Sequence, residues 1–206
     1  MKKLAALSLA LVAGAASASG ISVQIGTYLG TTDSSTTAAD FQQIVTSDAA
    51  LSAPMTAAVW SYDDLALPIN DSALESTITF YVTPADSGTW SFRAGVDFGK
   101  GGALFLDGVA LDSKNTDMWW NYSYADPTQF LAGQAVLSVG EHQLTLYGLE
   151  TCCSGGEQTQ FKIGNGSYTS FSSDDGLPAV PESQNYAMLL AGLGLVATLA
   201  RRRRNV

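Results

Sequence analysis

Hydrophobic and polar residues alternate along much of the segment 19–175, with the period of two that is typical of half-buried β-strands. Ile21, Val23 and Ile25 form the first such run, separated by polar residues. Similar patterns predict seven further strands, at residues 76–82, 89–96, 103–106, 134–139, 142–149, 158–163 and 167–171. Residues 38–47 have a helical period, but over a short stretch.

Short segments rich in Gly, Asp, Pro and Asn separate the predicted strands, among them 84–88, Asp107-Gly108 and 164–166. These residue types favour tight turns, and short strands with frequent turns are typical of antiparallel sandwiches. We therefore predict one all-β domain over residues 19–175, a jelly-roll-like antiparallel β-sandwich.

The N-terminal segment has the three parts of a secretory signal peptide. Met1-Lys2-Lys3 is basic, residues 4–13 are apolar, and Ala16-Ser17-Ala18 has the small-x-small pattern of a cleavage site. The prediction is a signal peptide over residues 1–18 and export of the remaining chain.

The C-terminal segment predicts a linker at residues 176–185, a transmembrane helix at 186–200 and a basic tail at 201–206. The 15 apolar residues of the helix fall short of the roughly 20 that span a bilayer, although flanking side chains can compensate. Four arginines, Arg201, Arg202, Arg203 and Arg204, keep the tail cytoplasmic under the positive-inside rule.

The linker contains Val180-Pro181-Glu182. This motif is followed by an apolar segment and then by an arginine cluster, and that order resembles the PEP-CTERM sorting signal of Gram-negative bacteria. The resemblance implies recognition by a membrane exosortase, transient anchoring in the inner membrane, and transfer to the cell surface or extracellular matrix. Ser183 departs from the motif, whose third residue is usually proline. A permanent C-terminal anchor remains the alternative.

The charge of the predicted domain is strongly negative once the targeting segments are set aside. Residues 19–175 hold four basic and 18 acidic residues, a formal net charge of −14. The four cations are Arg93, Lys100, Lys114 and Lys162. Because such a surface repels nucleic acid and anionic lipid, we predict neither as a partner.

Catalytic residue types are sparse, so we predict that the protein is not an enzyme. The single histidine, His142, lies at the start of a predicted strand, and the chain has no nucleophile elbow or phosphate-binding loop. An extracellular glycan hydrolase, which needs two carboxyl groups across a cleft, is the least favoured alternative.

Calcium is the one cofactor that the residues leave open. Asp107, Asp112, Asp117 and Asp126 lie in or near one turn-rich region, and calcium takes oxygen ligands from such loops. Their spacing matches no EF-hand, and turn-capping is the alternative role. We predict no cofactor, and the identity of any bound metal stays unknown.

The central segment, residues 75–150, resembles the β-sandwich named after anthrax protective antigen, which occurs in carbohydrate-binding and adhesive proteins. The turn 104–109, LFLDGV, and the strand start 140–144, GEHQL, carry this resemblance. Ligand-binding members often have adjacent aspartates where this chain has Asp97-Phe98-Gly99. The resemblance therefore implies a sandwich and sugar binding, without calcium dependence.

Four aromatic residues within 119–124 are candidate ligand-binding residues, since exposed rings with polar neighbours stack on sugar faces. Alternation would bring Trp120, Tyr122 and Tyr124 to one face, with Trp119 beside them. Asp107 joins them as a candidate carboxylate. The alternative is that the tryptophans close one end of the hydrophobic core.

The two cysteines, Cys152 and Cys153, are adjacent in a chain predicted to enter an oxidising compartment. Adjacent Cα atoms lie about 3.8 Å apart, below the roughly 4.4–6.8 Å that disulfides prefer, so a bridge between them would be a strained ring. Free thiols that bind another chain or a soft metal are the alternative. With Gly155 the pair resembles the CCXG family of PEP-CTERM proteins, which implies no reaction.

These observations predict an exported, exosortase-sorted surface or matrix protein that binds exopolysaccharide without catalysis. A self-assembling structural protein, linked through its cysteines, is the alternative.

Overall fold

The computed structural model describes residues 19–49, 61–65, 71–153 and 155–179. The predicted signal peptide, the sorting motif Val180-Pro181-Glu182, the hydrophobic segment and the arginine tail lie outside these ranges. Within them, no helix has the length and apolar character needed to cross a membrane.

The described residues form strands with little helix. The strands are β1 (Ser19–Thr27), β2 (Ser72–Val82), β3 (Gly88–Gly95), β4 (Asp97–Phe98), β5 (Gly101–Leu106), β6 (Val109–Lys114), β7 (Met118–Trp119), β8 (Phe130–Leu137), β9 (Gly140–Leu149), β10 (Gln158–Ile163) and β11 (Thr169–Ser170). Helix α1 (Ala38–Gln43) continues into a π-helical turn, Ile44–Asp48, and Tyr62–Asp64 form a 3₁₀ turn.

Three antiparallel sheets contain these strands. The five-stranded sheet has the order β1-β2-β9-β5-β6, the four-stranded sheet β11-β10-β3-β8, and β4 pairs with β7. Every pairing between strands is antiparallel. The predicted all-β, antiparallel class is therefore confirmed for the described part of the chain.

The main core lies between the two larger sheets. Phe80 of β2 stacks on Trp90 of β3 with ring centroids 5.2 Å apart, and Trp90 stacks on Phe161 of β10 at 5.3 Å. Phe171 follows β11 and contacts Phe161 at 4.8 Å. Burying four large rings supplies much apolar area, which is the main driving force for joining two sheets.

Helix α1 covers part of the outer face of the five-stranded sheet. It begins with a capping box: the Thr37 hydroxyl accepts from the Asp40 backbone N–H, and the Asp40 carboxylate accepts from the Thr37 N–H at 2.8 Å. Phe41 of the helix and Val45 of the following turn are fully buried, in a cluster with Tyr147 of β9.

Asp107 and Gly108 form the two-residue hairpin turn between β5 and β6. Their φ angles are +50° and +77°, the left-handed pair that a type I′ turn requires. The Asp107 carboxylate accepts from the Gln143 backbone N–H at 2.9 Å and lies 2.7 Å from His142 Nδ1. Asp107 thus closes the hairpin onto the start of β9.

Candidate functional site

The small β4–β7 sheet turns one tryptophan outward. Asp97 is paired with Trp119, and Phe98 with Met118. Because successive side chains of a strand point in opposite directions, Met118 is fully buried while Trp119 is 61% exposed.

Trp120 supports the exposed aromatic residues from below. Its side chain is 3% exposed, and its ring packs so closely on Gly95 that a Cβ there would overlap the indole. The Trp120 centroid lies 5.1 Å from that of Tyr122 and 5.3 Å from that of Tyr124. The predicted grouping of these three rings is present, with Trp120 packed inside and Tyr122 exposed.

A cleft of about 420 Å³ opens beside Trp119, within the size range of small-molecule sites. Besides Trp120, it is lined by Asp63, Leu65, Trp119, Asn121, Tyr122 and the backbone of Gly155-Gly156. Aromatic faces, two polar side chains and a glycine backbone therefore converge on one concave surface.

The loop between β9 and β10 forms one wall of the cleft, and Glu150 anchors its first turn. The Glu150 carboxylate accepts from the backbone N–H groups of Thr151 at 2.7 Å, Cys152 at 2.8 Å and Gly99 at 2.8 Å. One buried side chain thus ties the loop to the turn that precedes β5.

The glycines after the cysteines allow this loop to approach closely. A Cβ at Gly155 would overlap the Asp97 carboxylate, and a Cβ at Gly156 would lie 2.6 Å from the Tyr122 ring. The glycine of the Cys-Cys-x-Gly motif is therefore a position where any side chain would collide with Asp97.

Three buried carboxyl groups lie behind the cleft, and no residue pattern predicted their burial. Asp97 is 6% exposed, and Glu150 and Glu157 are each 2% exposed. Glu157 Oε1 accepts from the Asp97 N–H at 3.3 Å, while Glu157 Oε2 has no hydrogen-bond partner among the described residues. Asp97 and Glu150 directly follow the apolar ends of predicted strands, a signal that could have suggested burial, whereas Glu157 precedes the polar start of β10.

The environment of Asp97 and Glu157 favours the neutral forms of these two carboxyl groups. Burial, followed by the charges of Glu150 and Asp117, raises the pKa of Asp97 to about 6. Burial also raises the pKa of Glu157 well above its usual value, and Asp97 and Glu150 add to the effect. Both groups carry more protons in the folded protein than in the unfolded chain at mildly acidic pH.

The two cysteines are exposed on the same loop, with their Sγ atoms 2.7 Å apart. Cys153 has a φ of +73°, which is unusual for a residue with a side chain. The hydrogen bond with Cys153, then burial and nearby negative charge, raise the pKa of Cys152 to about 11. The Cys152 thiol is therefore protonated and weakly nucleophilic at neutral pH.

Three of the four aspartates in the turn-rich region have separate local roles. Besides Asp107 at its hairpin, Asp112 accepts from Lys114 Nζ and the Ala132 N–H, and Asp126 accepts from Thr128. Across the described ranges, no group of three His, Cys, Asp or Glu side chains is arranged to hold a metal ion.

No family model matches the chain, and no curated protein is significantly similar to it. Similar solved structures include a PA14 sugar-binding domain from an RTX adhesin, with 12% identity, 77% of this chain and 97% of that one covered, and a TM-score of 0.49. The PA14 domain of the MpAFP antifreeze protein has 14% identity, 84% and 96% coverage, and a TM-score of 0.49.

Epithelial adhesin 9 A domain from Candida glabrata, in complex with Galb1-4GlcNAc, has 11% identity, 77% and 93% coverage, and a TM-score of 0.44.

Proposed function

We propose that this protein is an exported, exosortase-sorted component of the cell surface or extracellular matrix that binds glycan without catalysis. The observation that carries the binding proposal is the cleft with two exposed rings, Trp119 at 61% and Tyr122 at 76% exposure. Exposed rings beside a concave, partly polar surface suit the apolar face and hydroxyl edge of a sugar.

The backbone at Tyr122 supports a binding role. Its φ of +53° is unfavourable for a bulky residue, and such conformations concentrate where function requires them. A Cβ at Gly156 would lie 2.6 Å from the Tyr122 ring, so the residue with this unfavourable conformation packs on the loop that follows the cysteines.

Asp63 lines the same cleft and offers a carboxylate that suits sugar hydroxyls. Asp63 Oδ2 already accepts from Gln158 Nε2 and Ser170 Oγ, both at 2.9 Å, so its carboxylate is oriented before any ligand arrives. A preoriented acceptor loses little conformational entropy on binding, which favours affinity.

The buried state of the acids supports a non-catalytic role. A glycosidase places two carboxyls on either side of the bond to be broken, where substrate can reach them. Asp97, Glu150 and Glu157 are instead at most 6% exposed, and Glu150 is occupied by three backbone N–H groups.

Binding is tested on a glycan array and by calorimetry with the exported protein. Trp119→Ala is expected to weaken binding at least about ten-fold through loss of the stacking surface, and Trp119→Phe to restore part of it. Val109→Ala is the matched control, because Val109 is 66% exposed on β6 and does not line the cleft. Equal binding by wild type and Trp119→Ala would refute this site.

The sorting proposal rests on the terminal segments and is tested separately. Intact-mass measurement of the exported protein is expected to show cleavage after Ala18 and removal of the arginine tail. Replacing Pro181-Glu182 with Ala-Ala is expected to leave the C-terminal segment attached. Retention of Arg201–Arg204 in the mature wild type would instead indicate a permanent anchor.

Self-assembly through cysteine is the second candidate, because both thiols are exposed. It predicts multimers on a non-reducing gel that disappear when Cys152 and Cys153 are both changed to Ser. Monomers in the wild type would reject it.

A further inference from the structure

Arg93 is held rigidly on the outer face of the four-stranded sheet. Its guanidinium carbon lies 3.7 Å from the centroid of Tyr124 and 3.8 Å from that of Tyr168, between two rings. Its Nε donates to Gln160 Oε1 at 2.7 Å. Cation–π contacts on two sides and one charge-assisted hydrogen bond fix the plane of the guanidinium.

Arg93 and its neighbour Lys162 are cations without a carboxylate partner in the described part of the chain. The ion pairs found there are Lys100–Asp71, Lys114–Asp112 and His142–Asp107. Lys162 Nζ instead lies 5.0 Å from the centroid of Tyr168, the ring that also contacts Arg93. In a segment of net charge −14, two unpaired cations on one ring form a local site for an external anion.

This pair is connected to the cleft by Tyr124. The Tyr124 ring contacts Trp120 on one side and Arg93 on the other, and its hydroxyl donates to the Gln158 carbonyl at 3.2 Å. Asp63, which lines the cleft, is bonded to the Gln158 side chain. The cleft and the paired cations are therefore neighbouring parts of one surface.

We propose that Arg93 and Lys162 form a subsite for the carboxylate of an acidic glycan, so that the preferred ligand is a uronate-containing polysaccharide. The proposal rests on the glycan-binding function proposed above. Among the described residues, the terminal Nη atoms of Arg93 have no hydrogen-bond partner, and that edge of the guanidinium matches the two oxygens of a carboxylate.

The acidity of the rest of the domain does not prevent this recognition. At physiological ionic strength the Debye length is about 8 Å, so exposed charges farther away than this are largely screened. A uronate bound by the paired cations has Arg93 and Lys162 as its direct partners. Asp63, linked to Arg93 through Ser170 and Gln160, is the nearby carboxylate whose repulsion these two cations must outweigh. The neutral part of the sugar chain then lies across Trp119 and Tyr122.

The test compares a polyuronate with the same polymer after its carboxyl groups have been reduced to alcohols. Calorimetry with the exported wild-type protein is expected to show about ten-fold tighter binding to the polyuronate, and this preference is expected to shrink as salt increases. Arg93→Gln is expected to remove the preference while leaving affinity for the reduced polymer unchanged. Equal binding of both polymers by the wild type would overturn the subsite.

Lys162→Gln provides a second variant in case Arg93→Gln disturbs the packing of Tyr124 and Tyr168. It is expected to lower the preference several-fold, whereas Lys114→Gln, which removes a cation already paired with Asp112, is expected to leave it unchanged. An equal effect of both lysine variants would mean that net charge alone is responsible, which contradicts the subsite.

The two proposals fail in different ways. If Trp119→Ala leaves binding of the reduced polymer intact, the cleft is not the glycan site, whatever Arg93 does. If Trp119→Ala abolishes it but the wild type ignores the carboxylate, the cleft stands and the acidic subsite is wrong. Equally tight binding to a sulfated neutral polymer would also overturn the assignment to uronate.

Discussion

Strands β5 and β9 run antiparallel, and acidic residues stand at both ends of this pair, in very different states. At one end, Asp107 is exposed and both of its oxygens have partners, in His142 and the Gln143 N–H. At the other end, Asp97, Glu150 and Glu157 are buried together, and Glu157 Oε2 has no partner among the described residues.

The difference separates a structural end from a candidate functional end. A satisfied exposed carboxylate closes a hairpin at little cost, whereas an unpaired buried oxygen costs on the order of 1–3 kcal/mol. The buried carboxyls lie behind the cleft, between the cysteine loop and the strand that carries Trp119.

Gly155→Ala should have the largest effect, because its Cβ would overlap the Asp97 carboxylate and push the loop away. We expect a loss of roughly 2 kcal/mol in the free energy of unfolding and about 5 °C in melting temperature. Gly20→Ala on β1 is the matched control, since its Cβ would make an ordinary 3.9 Å contact. Similar melting temperatures for Gly155→Ala and wild type would show that the loop is not packed on Asp97.

Glu157→Gln should stabilise the protein at neutral pH by roughly 1 kcal/mol, because Gln keeps the shape and replaces a carboxyl that must be either kept protonated or desolvated as an anion. The pKa values of Asp97 and Glu157 are raised in the folded state. Their contribution is therefore absent below the usual carboxyl pKa of about 4 and becomes destabilising as pH rises above that value; for Asp97 the loss is complete above about pH 6.

The gain in Glu157→Gln should accordingly be present at pH 7.5 and small at pH 4, as measured by urea unfolding. Glu141→Gln, on the exposed start of β9, is the control and should change little at either pH. A variant less stable than wild type at pH 7.5 would mean that the negative charge of Glu157 is needed there.

Residue patterns predicted most of the strands, because a strand that buries one face alternates hydrophobic and polar residues along the sequence. β10 matches its predicted bounds, 158–163, and each of the other predicted runs overlaps an observed strand with different ends. The strands β4, β6 and β7 were missed. β4 and β7 are two residues long, too short for a period to be visible.

The candidate site was only partly predictable, because tertiary contacts decide it. Local composition indicated the aromatic residues, yet whether Trp119 or Trp120 faces solvent depends on the pairing of β7 with β4. The cluster of buried carboxyl groups brings Asp97 together with Glu150 and Glu157. Asp97 is distant from the other two in sequence, and no local motif links the three residues. The placement of Arg93 between two rings likewise requires Tyr124 and Tyr168 to converge from two different loops.

At the Asp107 end of the β5–β9 pair, Asp107→Asn should lower the free energy of unfolding by about 0.5–1 kcal/mol, since the Asp107–His142 pair is partly exposed. Burial lowers the pKa of His142, but its hydrogen bonds to Asp107 and the Ser138 carbonyl raise it, and the net shift is upward. The pair is therefore fully stabilising below pH 6.5 and loses its contribution as pH rises through the higher folded-state pKa.

The stability difference between Asp107→Asn and wild type should hence shrink between pH 6 and pH 9. Asn is suited to this comparison because it tolerates the left-handed conformation that the turn requires. A difference independent of pH would mean that the lost interaction is the bond to the Gln143 N–H rather than the ion pair.

The cysteine pair should have the smallest effect on stability, although it lies at the candidate functional end. With their Sγ atoms 2.7 Å apart, we expect Cys152 and Cys153 to be bridged to each other in the exported protein. A disulfide oxidant of the exporting compartment would form a mixed disulfide with one thiolate. The second thiolate then attacks the protein sulfur of this mixed disulfide and displaces the oxidant as its reduced dithiol, which takes up the two electrons and two protons. Native protein should then resist alkylation, have a mass lower by two hydrogens, and take two labels after reduction.

Changing both cysteines to Ser should alter the free energy of unfolding by less than about 0.5 kcal/mol, because a bridge between adjacent residues closes almost no loop. The same variant should weaken glycan binding several-fold, since the turn that sets Gly155 and Gly156 against the cleft becomes less rigid. Labelling of the native protein without reduction would reject the bridge. A large stability loss with unchanged binding would instead place the pair with the structural end of the molecule.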